Sequence, residues 1–371
     1  MIAELIHLST VDRQSTMVRR AVMGVHSEFL LRWAVLITFA HLSITADYSC
    51  TDRYKEYCVV ENVTADAIDS SSFPPEKALL IQNSTIPVFG EHILRKMAPV
   101  ESLMIHHLKI EQLQLAECDQ LLTLFASYNH ISELTVANDF PLRNLHLYQN
   151  LLTNISGLRV LTSLEQLYLN DNLLANLEFD VFANMKHLKI LTLHRNFLTA
   201  IDCKQSISLP ALESLFLQHN KLTYLDTGMW KMPSLQKLDL SANELAFLFT
   251  FLEEFPALRV LELYDNKWNC AWLSKMVDRM ELREIQHTQV DPTCDDGVLF
   301  DEVCCLHEAD APDPMMLLIS RTTVVDDLQG QLGAQRKTVG DLEEAHRKQT
   351  FKFEEMQDKI DRLDEFCRGE F

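Results

Sequence analysis

The fold class this sequence predicts is an α/β solenoid, a stack of short strands closed by disulfide caps and followed by an α-helical coil. Three observations predict it. An eleven-residue pattern recurs at a period of 22 to 24 residues, cysteines cluster where the repeats begin and end, and a heptad pattern fills the last part of the chain. Periods of this length are the mark of a solenoid.

The repeats come first. "LRNLHLYQNLL" from Leu142, "LEQLYLNDNLL" from Leu164, "LKILTLHRNFL" from Leu188, "LESLFLQHNKL" from Leu212, "LQKLDLSANEL" from Leu235 and "LRVLELYDNKW" from Leu258 share LxxLxLxxNxL. Their asparagines fall at 150, 172, 196, 220, 243 and 266. That is the leucine-rich repeat signature. Upstream the phase continues more weakly, with Asn129, Leu108, Ser84 and Val63 in the asparagine slot. Alternating leucines point one way from a short strand. A single repeat cannot bury that face, so neighbours stack into a curved solenoid, a horseshoe. The slot asparagine is expected to turn inward and satisfy backbone groups of adjacent turns. Leucine, serine and valine cannot do this equally well, so the N-terminal turns are expected to be less regular.

Composition narrows the class. The chain has 371 residues, 47% of them hydrophobic, and only nine glycines. A formal charge of −20 disfavours nucleic acid or an anionic membrane as partner. "WAVLITFAHLSI", Trp33 to Ile44, is too short to span a bilayer but fits the apolar region of a secretory signal. Residues 1–46 are therefore read as an N-terminal extension and signal peptide, cleaved after Ala46, with no membrane span in the mature chain. All nine cysteines lie beyond that point, which in an oxidising compartment makes disulfides their first reading. Nine is odd, so at least one cysteine is free or bonded to another chain.

The solenoid with its N-terminal cap is assigned to residues 47–268. Cys50 and Cys58 stand just before the first strand, where a disulfide-tied cap belongs. Residues 269–306 resemble the C-terminal caps of extracellular leucine-rich repeat proteins, which open with Cys-x-Cys and hold two pairs. Here the opening reads Cys270-Ala271-Trp272. By that resemblance Cys270 pairs with Cys294, and Cys304 and Cys305 are left over. The alternative closes the cap with two pairs, such as 270–304 and 294–305.

An acidic, proline-bearing linker, residues 307–324, leads to the coil at 325–371. Val325, Leu332, Val339, His346, Phe353, Ile360 and Cys367 fall on a; Leu328, Gln335, Leu342, Gln349, Met356 and Leu363 fall on d. A coiled coil needs a partner for this stripe. Cys304, Cys305 and Cys367 are accordingly the candidates for an interchain disulfide in a homo- or heterodimer.

The order of parts, with adjacent cysteines in "VCC" after the cap and a coil beyond, resembles the leucine-rich repeat immune proteins of mosquitoes. The resemblance spans about residues 33 to 371, and the single coil makes the chain similar to a shorter member. It implies circulation in a haemolymph-like fluid, disulfide-linked pairing with another coil-bearing leucine-rich repeat protein, and a complement-like thioester protein as a partner that some members stabilise.

Functional positions follow from the register. Four residues before the slot stand Met104, Phe125, His146, Tyr168, Thr192, Phe216, Asp239 and Glu262. Two before it stand His106, Ser127, Tyr148, Asn170, His194, Gln218, Ser241 and Tyr264. Both rows are expected to face solvent on the concave side, with Phe125, His146, Tyr148, Tyr168 and Phe216 as the partner-binding residues. Asn62, Asn83 and Asn154 open N-glycosylation sequons. Cys118 and Cys203 are read as apolar fillers. No HExxH, CxxC, GxSxG or P-loop occurs. The sequence thus predicts a binding protein with no cofactor or metal rather than an enzyme. Extracellular adhesion or a matrix role is the rival reading.

Overall fold

The computed structural model describes residues 47–307 and Lys337, apart from 69, 98, 117–118, 249–252, 288–290, 292–293 and 295–296. The signal-like run, Cys118, the linker beyond His307, the heptad segment and Cys367 lie outside the described residues. The chain divides into two units. One runs to Phe197 and adds Asp202–Phe216 and Trp230–Leu235. The other comprises Leu198–Ile201, Leu217–Met229 and the residues from Gln236 onward.

The first unit is a leucine-rich repeat solenoid. Asp52–Tyr54 pairs antiparallel with Tyr57–Glu61. Parallel strands then follow in chain order: Ala78–Gln82, Ser102–Met104, Thr123–Phe125, Asn144–His146, Gln166–Tyr168, Ile190–Thr192 and Ser214–Phe216. Register is set by the leucines. Leu79, Leu103, Leu124, Leu145, Leu167, Leu191 and Leu215 stand opposite one another, every one fully buried. Cys58 heads this column opposite Leu79, and its disulfide to Cys50 ties the antiparallel strand over the open end. Behind the sheet, Val88–Phe89, Gln112–Leu115 and Glu133–Val136 form a smaller parallel sheet. Further along, Trp230 stacks on Phe179 at 4.6 Å and Phe182 meets Phe179 edge-on. The Trp230 indole N–H donates to Cys203 Sγ at 3.1 Å, so Cys203 is half-buried beside a ring rather than a plain filler.

The slot asparagines stitch turns together. Asn150 Oδ1 accepts the Ile131 N–H at 3.0 Å, while its Nδ2 donates to the carbonyls of Ala126 and Leu147. Asn129, Asn172 and Asn196 repeat the arrangement. Ser84 manages only one acceptance, from Val63 N–H, and one donation, to Gln82 O. Leu108 can do neither and is packed as core. The residue before each slot, from Asn62 to Asp265, takes positive φ between 50° and 60° to turn the chain off the strand.

The second unit holds the parallel pair Lys237–Asp239 and Val260–Glu262, with Asn243 and Asn266 in their slots. Its cap begins at Trp268–Asn269. Asn269 accepts the Trp272 N–H at 3.0 Å and so caps the helix Cys270–Leu282. That helix buries Leu273, Met276, Val277 and Met280, one face at helical spacing. Trp272, at the place of the second cysteine of the Cys-x-Cys opening, stacks on buried Trp268 at 4.8 Å.

Here the disulfides correct the expectation. Cys270 bonds Cys305 and Cys294 bonds Cys304, so neither the 270–294 pairing nor the 270–304 with 294–305 alternative is present. Cys304 and Cys305 are also removed as interchain candidates. The reason is strand geometry: both lie on Val303–Leu306, where adjacent side chains point to opposite faces. Cys305 is buried, in register with Trp268, and reaches the start of the cap helix. Cys304 turns the other way, to the loop carrying Cys294. Gly297 is required there, because a Cβ on it would lie 2.1 Å from the Cys305 carbonyl oxygen. Asp291, which the sequence did not single out, clamps the arrangement: its carboxylate accepts the Asp265 and Cys304 N–H groups, both at 2.6 Å.

Candidate protein-binding face

From Ser102–Met104 to Ser214–Phe216 each strand buries its central leucine and, Thr192 excepted, turns the residues on either side of it outward, so this part of the sheet has one exposed face. On that face the rings touch. Phe125 stacks on His146 at 4.4 Å, and His146 stacks on Tyr168 at 4.3 Å. Tyr148 meets His146 edge-on at 6.4 Å and Tyr128 at 5.2 Å. His107 stacks on Tyr128 at 4.7 Å, and His106 joins Phe125 at 6.3 Å. The structure therefore brings Phe125, His146, Tyr148 and Tyr168 together, all half-buried. Phe216 stands apart, with Thr192 between it and Tyr168 in the register.

His107 and Tyr128 were not among the expected binding residues. They occupy the positive-φ position before the slot, which swings the side chain to the edge of the face. Tyr128 is 42% exposed. A turn position carrying a ring in consecutive repeats was the signal that could have found them.

The expectation that both rows face solvent fails at five positions. Thr192, Ser127, Ser241, Asp239 and Glu262 are buried. Short side chains sink between longer neighbours, as Thr192 does while donating to Asn170 Oδ1 at 3.0 Å. Asp239 folds down onto Ser241, accepting its hydroxyl at 2.6 Å, and burial raises the Asp239 pKa.

Charge is distributed in a definite way. From Ser102–Met104 to Ser214–Phe216, six successive strands, no outward residue is Asp, Glu, Lys or Arg. At the strand starts the charges pair with one another. Glu165 binds Lys189 at 2.8 Å and Arg143 at 3.5 Å, and its pKa is lowered first by the Lys189 hydrogen bond. At the far edge Asp171 meets Arg195 at 3.9 Å. Two histidines of the face, His146 and His106, are held below the ordinary imidazole value. Burial, then repulsion from His106, lowers His146 to about 4; burial, then His107, lowers His106. Burial likewise raises Tyr148 and Tyr168.

Asn62, Asn83 and Asn154 are exposed. Asn83 Nδ2 donates to Glu61 Oε1 at 2.7 Å, and Asn154 Oδ1 accepts the Ser156 N–H. Among the described residues no three His, Cys, Asp or Glu side chains are grouped to hold a metal, and no helix is long and apolar enough to cross a membrane.

Strands, slots and caps define a leucine-rich repeat protein, and the leucine rich repeat family model matches residues 162–222 and 186–245. Solved structures similar in fold include the leucine-rich repeat domain of APL1B, at 18% identity, covering 75% of this chain and 98% of that one with a TM-score of 0.47. The LRIM1/APL1C complex is 17% identical, covering 85% and 82% with a TM-score of 0.42. The LRIM1 leucine-rich repeat domain is 16% identical, covering 69% and 93% with a TM-score of 0.47. No curated protein matches the chain.

Proposed function

We propose that this chain is a secreted scaffold that acts by binding another protein on the aromatic face, without catalysis. One observation carries the reading: touching aromatic rings in a charge-free field, bounded by charges that pair among themselves. Protein interfaces have this anatomy, an aromatic core depleted of charge inside a polar rim. The disulfide-tied caps, the signal-like run and the exposed sequons at Asn62, Asn83 and Asn154 support an extracellular, glycosylated protein.

Within that reading the heptad segment pairs the chain with a second coil-bearing leucine-rich repeat protein, and Cys367 is the remaining candidate for the interchain bond. The resemblance in the order of parts supports an innate-immune role, with a complement-like thioester protein as the partner in a haemolymph-like fluid.

A pull-down from extracellular fluid tests the face. Wild type should capture a partner that the Tyr168→Ser, Phe216→Ser variant captures at least about tenfold less, because Tyr168 is a member of the ring stack. Thioester proteins in the captured fraction support the immune reading, whereas cell-surface receptors or matrix proteins favour adhesion. Equal capture by both chains would exclude the face. On a non-reducing gel, Cys367→Ser should remove the dimer band.

A further inference from the structure

This inference rests on the sheet face binding a protein, and concerns the chemistry of the segment it takes. Aromatic surfaces recognise ligands in distinct ways. A cation sits over an open ring face, a sugar packs its C–H groups on one, and an apolar side chain packs among ring edges.

In this stack most of the faces are already used. His146 has Phe125 on one side and Tyr168 on the other, with planes 25° and 12° from its own. Both faces of the imidazole, and one face of each neighbour, are covered by the chain itself. Tyr148 stands at 73° to His146, an edge-to-face contact. What this stack leaves to solvent is ring edges, polar tips and one remaining face each of Phe125 and Tyr168. Edges carry the positive side of the ring quadrupole, so they repel an ammonium or guanidinium group.

Electrostatics points the same way. The chain's −20 charge attracts cations from a distance. Yet on arrival a cation would find no carboxylate among the outward residues of these strands, and the rim carboxylates Glu165 and Asp171 already have partners. An incoming carboxylate would find no Lys or Arg there either. Either ion would lose hydration without a countercharge, which is costly.

We propose that the occupant is an uncharged protein segment. Its aromatic or aliphatic side chains pack against Phe125, Tyr148 and Tyr168, a backbone carbonyl accepts from the imidazole N–H, and a backbone N–H donates to the Tyr168 hydroxyl oxygen, whose own proton goes to Gln166 Oε1 at 3.1 Å. Binding of this kind is insensitive to salt, since screening has no charge pair to act on.

A displayed library of random dodecapeptides, panned on the full chain and counter-selected on the His146→Ser, Tyr168→Ser variant, tests this. Surviving peptides should be depleted in Asp, Glu, Lys and Arg against the input. A synthetic copy should bind with a Kd constant within about twofold from roughly 50 to 500 mM NaCl. Because the counter-selecting variant loses two rings, Asn144→Asp serves as a second probe that keeps every ring. It adds one charge to the field and should weaken the peptide about tenfold or more. Survivors rich in charged residues, a salt-dependent Kd, or an unchanged Kd in Asn144→Asp would overturn the inference and leave the face a binding site. If no peptide survives counter-selection, the binding reading itself fails.

Discussion

Replacing Asn172 with alanine tests whether the slot amides hold the solenoid together. The side chain is 2% exposed. Its Oδ1 accepts the Leu152 N–H at 3.0 Å, and its Nδ2 donates to Leu147 O at 3.0 Å and Leu169 O at 3.1 Å. Those two carbonyls keep second donors, Asn150 to Leu147 and Asn196 to Leu169. The main loss is therefore the Leu152 N–H, left buried without an acceptor, at about 1–3 kcal/mol. With about 0.5–1 kcal/mol for each weakened carbonyl, the expected destabilisation is about 3 kcal/mol. For a domain of this size that lowers the Tm by roughly 6–12 °C. Asn172→Asp should cost more despite its matching shape, since a carboxylate oxygen would face carbonyl oxygens in place of the donor. Urea and thermal unfolding by circular dichroism measure both. A loss under about 1 kcal/mol for alanine, or an aspartate milder than alanine, would show that water replaces the amide and that leucine packing alone sets the stack.

Two further outcomes follow from the described geometry. His146, held at about 4 rather than 6.5, binds fewer protons folded than unfolded between those values. Its contribution to stability is thus intact above about pH 6.5 and lost as pH falls towards 4. Discounted for partial exposure this is roughly 2 kcal/mol. His146→Phe, which keeps a ring in the stack, should lose less stability than wild type between pH 7 and 4.5, and equal slopes would contradict the assignment. Among the cap disulfides, Cys270–Cys305 spans 35 residues and Cys294–Cys304 spans 10. By loop entropy their removal costs about 4 and about 3 kcal/mol, so Cys305→Ser should unfold the cap at lower denaturant than Cys304→Ser. Proteolysis of the cap under titrated urea reads the order.

The repeats were legible because each turn restates the same contacts: a leucine at the strand centre and an amide at the slot leave no other register. The weak slots were legible too, since Ser84 does make fewer bonds than Asn150. Disulfide connectivity was not. Whether Cys304 or Cys305 reaches Cys270 depends on which face of one strand is buried, and that is decided by pairing with Trp268, far off in the chain. The aromatic face was half legible. The strand rows located Phe125, His146, Tyr148 and Tyr168, but did not show which other members are buried: Thr192 and Ser127 are short, whereas the long Glu262 is buried as well. His107 and Tyr128 escaped because their direction comes from a backbone turn rather than from strand alternation.

That turn has a consequence for how such a protein can change. At the position before each slot the chain demands a left-handed backbone and little of the side chain itself. The occupants show the latitude: Asn62, Asn83, His107, Tyr128, Gln149, Asp171, Arg195, His219, Ala242 and Asp265. Amide, imidazole, phenol, acid, base and methyl all appear, and none is β-branched, the shape most strained there. The strain of this conformation is smaller for Asn and Asp than for the other unbranched residues, so exchanging one for another alters the border of the face at a modest cost to the stack beneath it. Selection can rewrite what the protein touches along this rail, one turn at a time, without first repairing its fold.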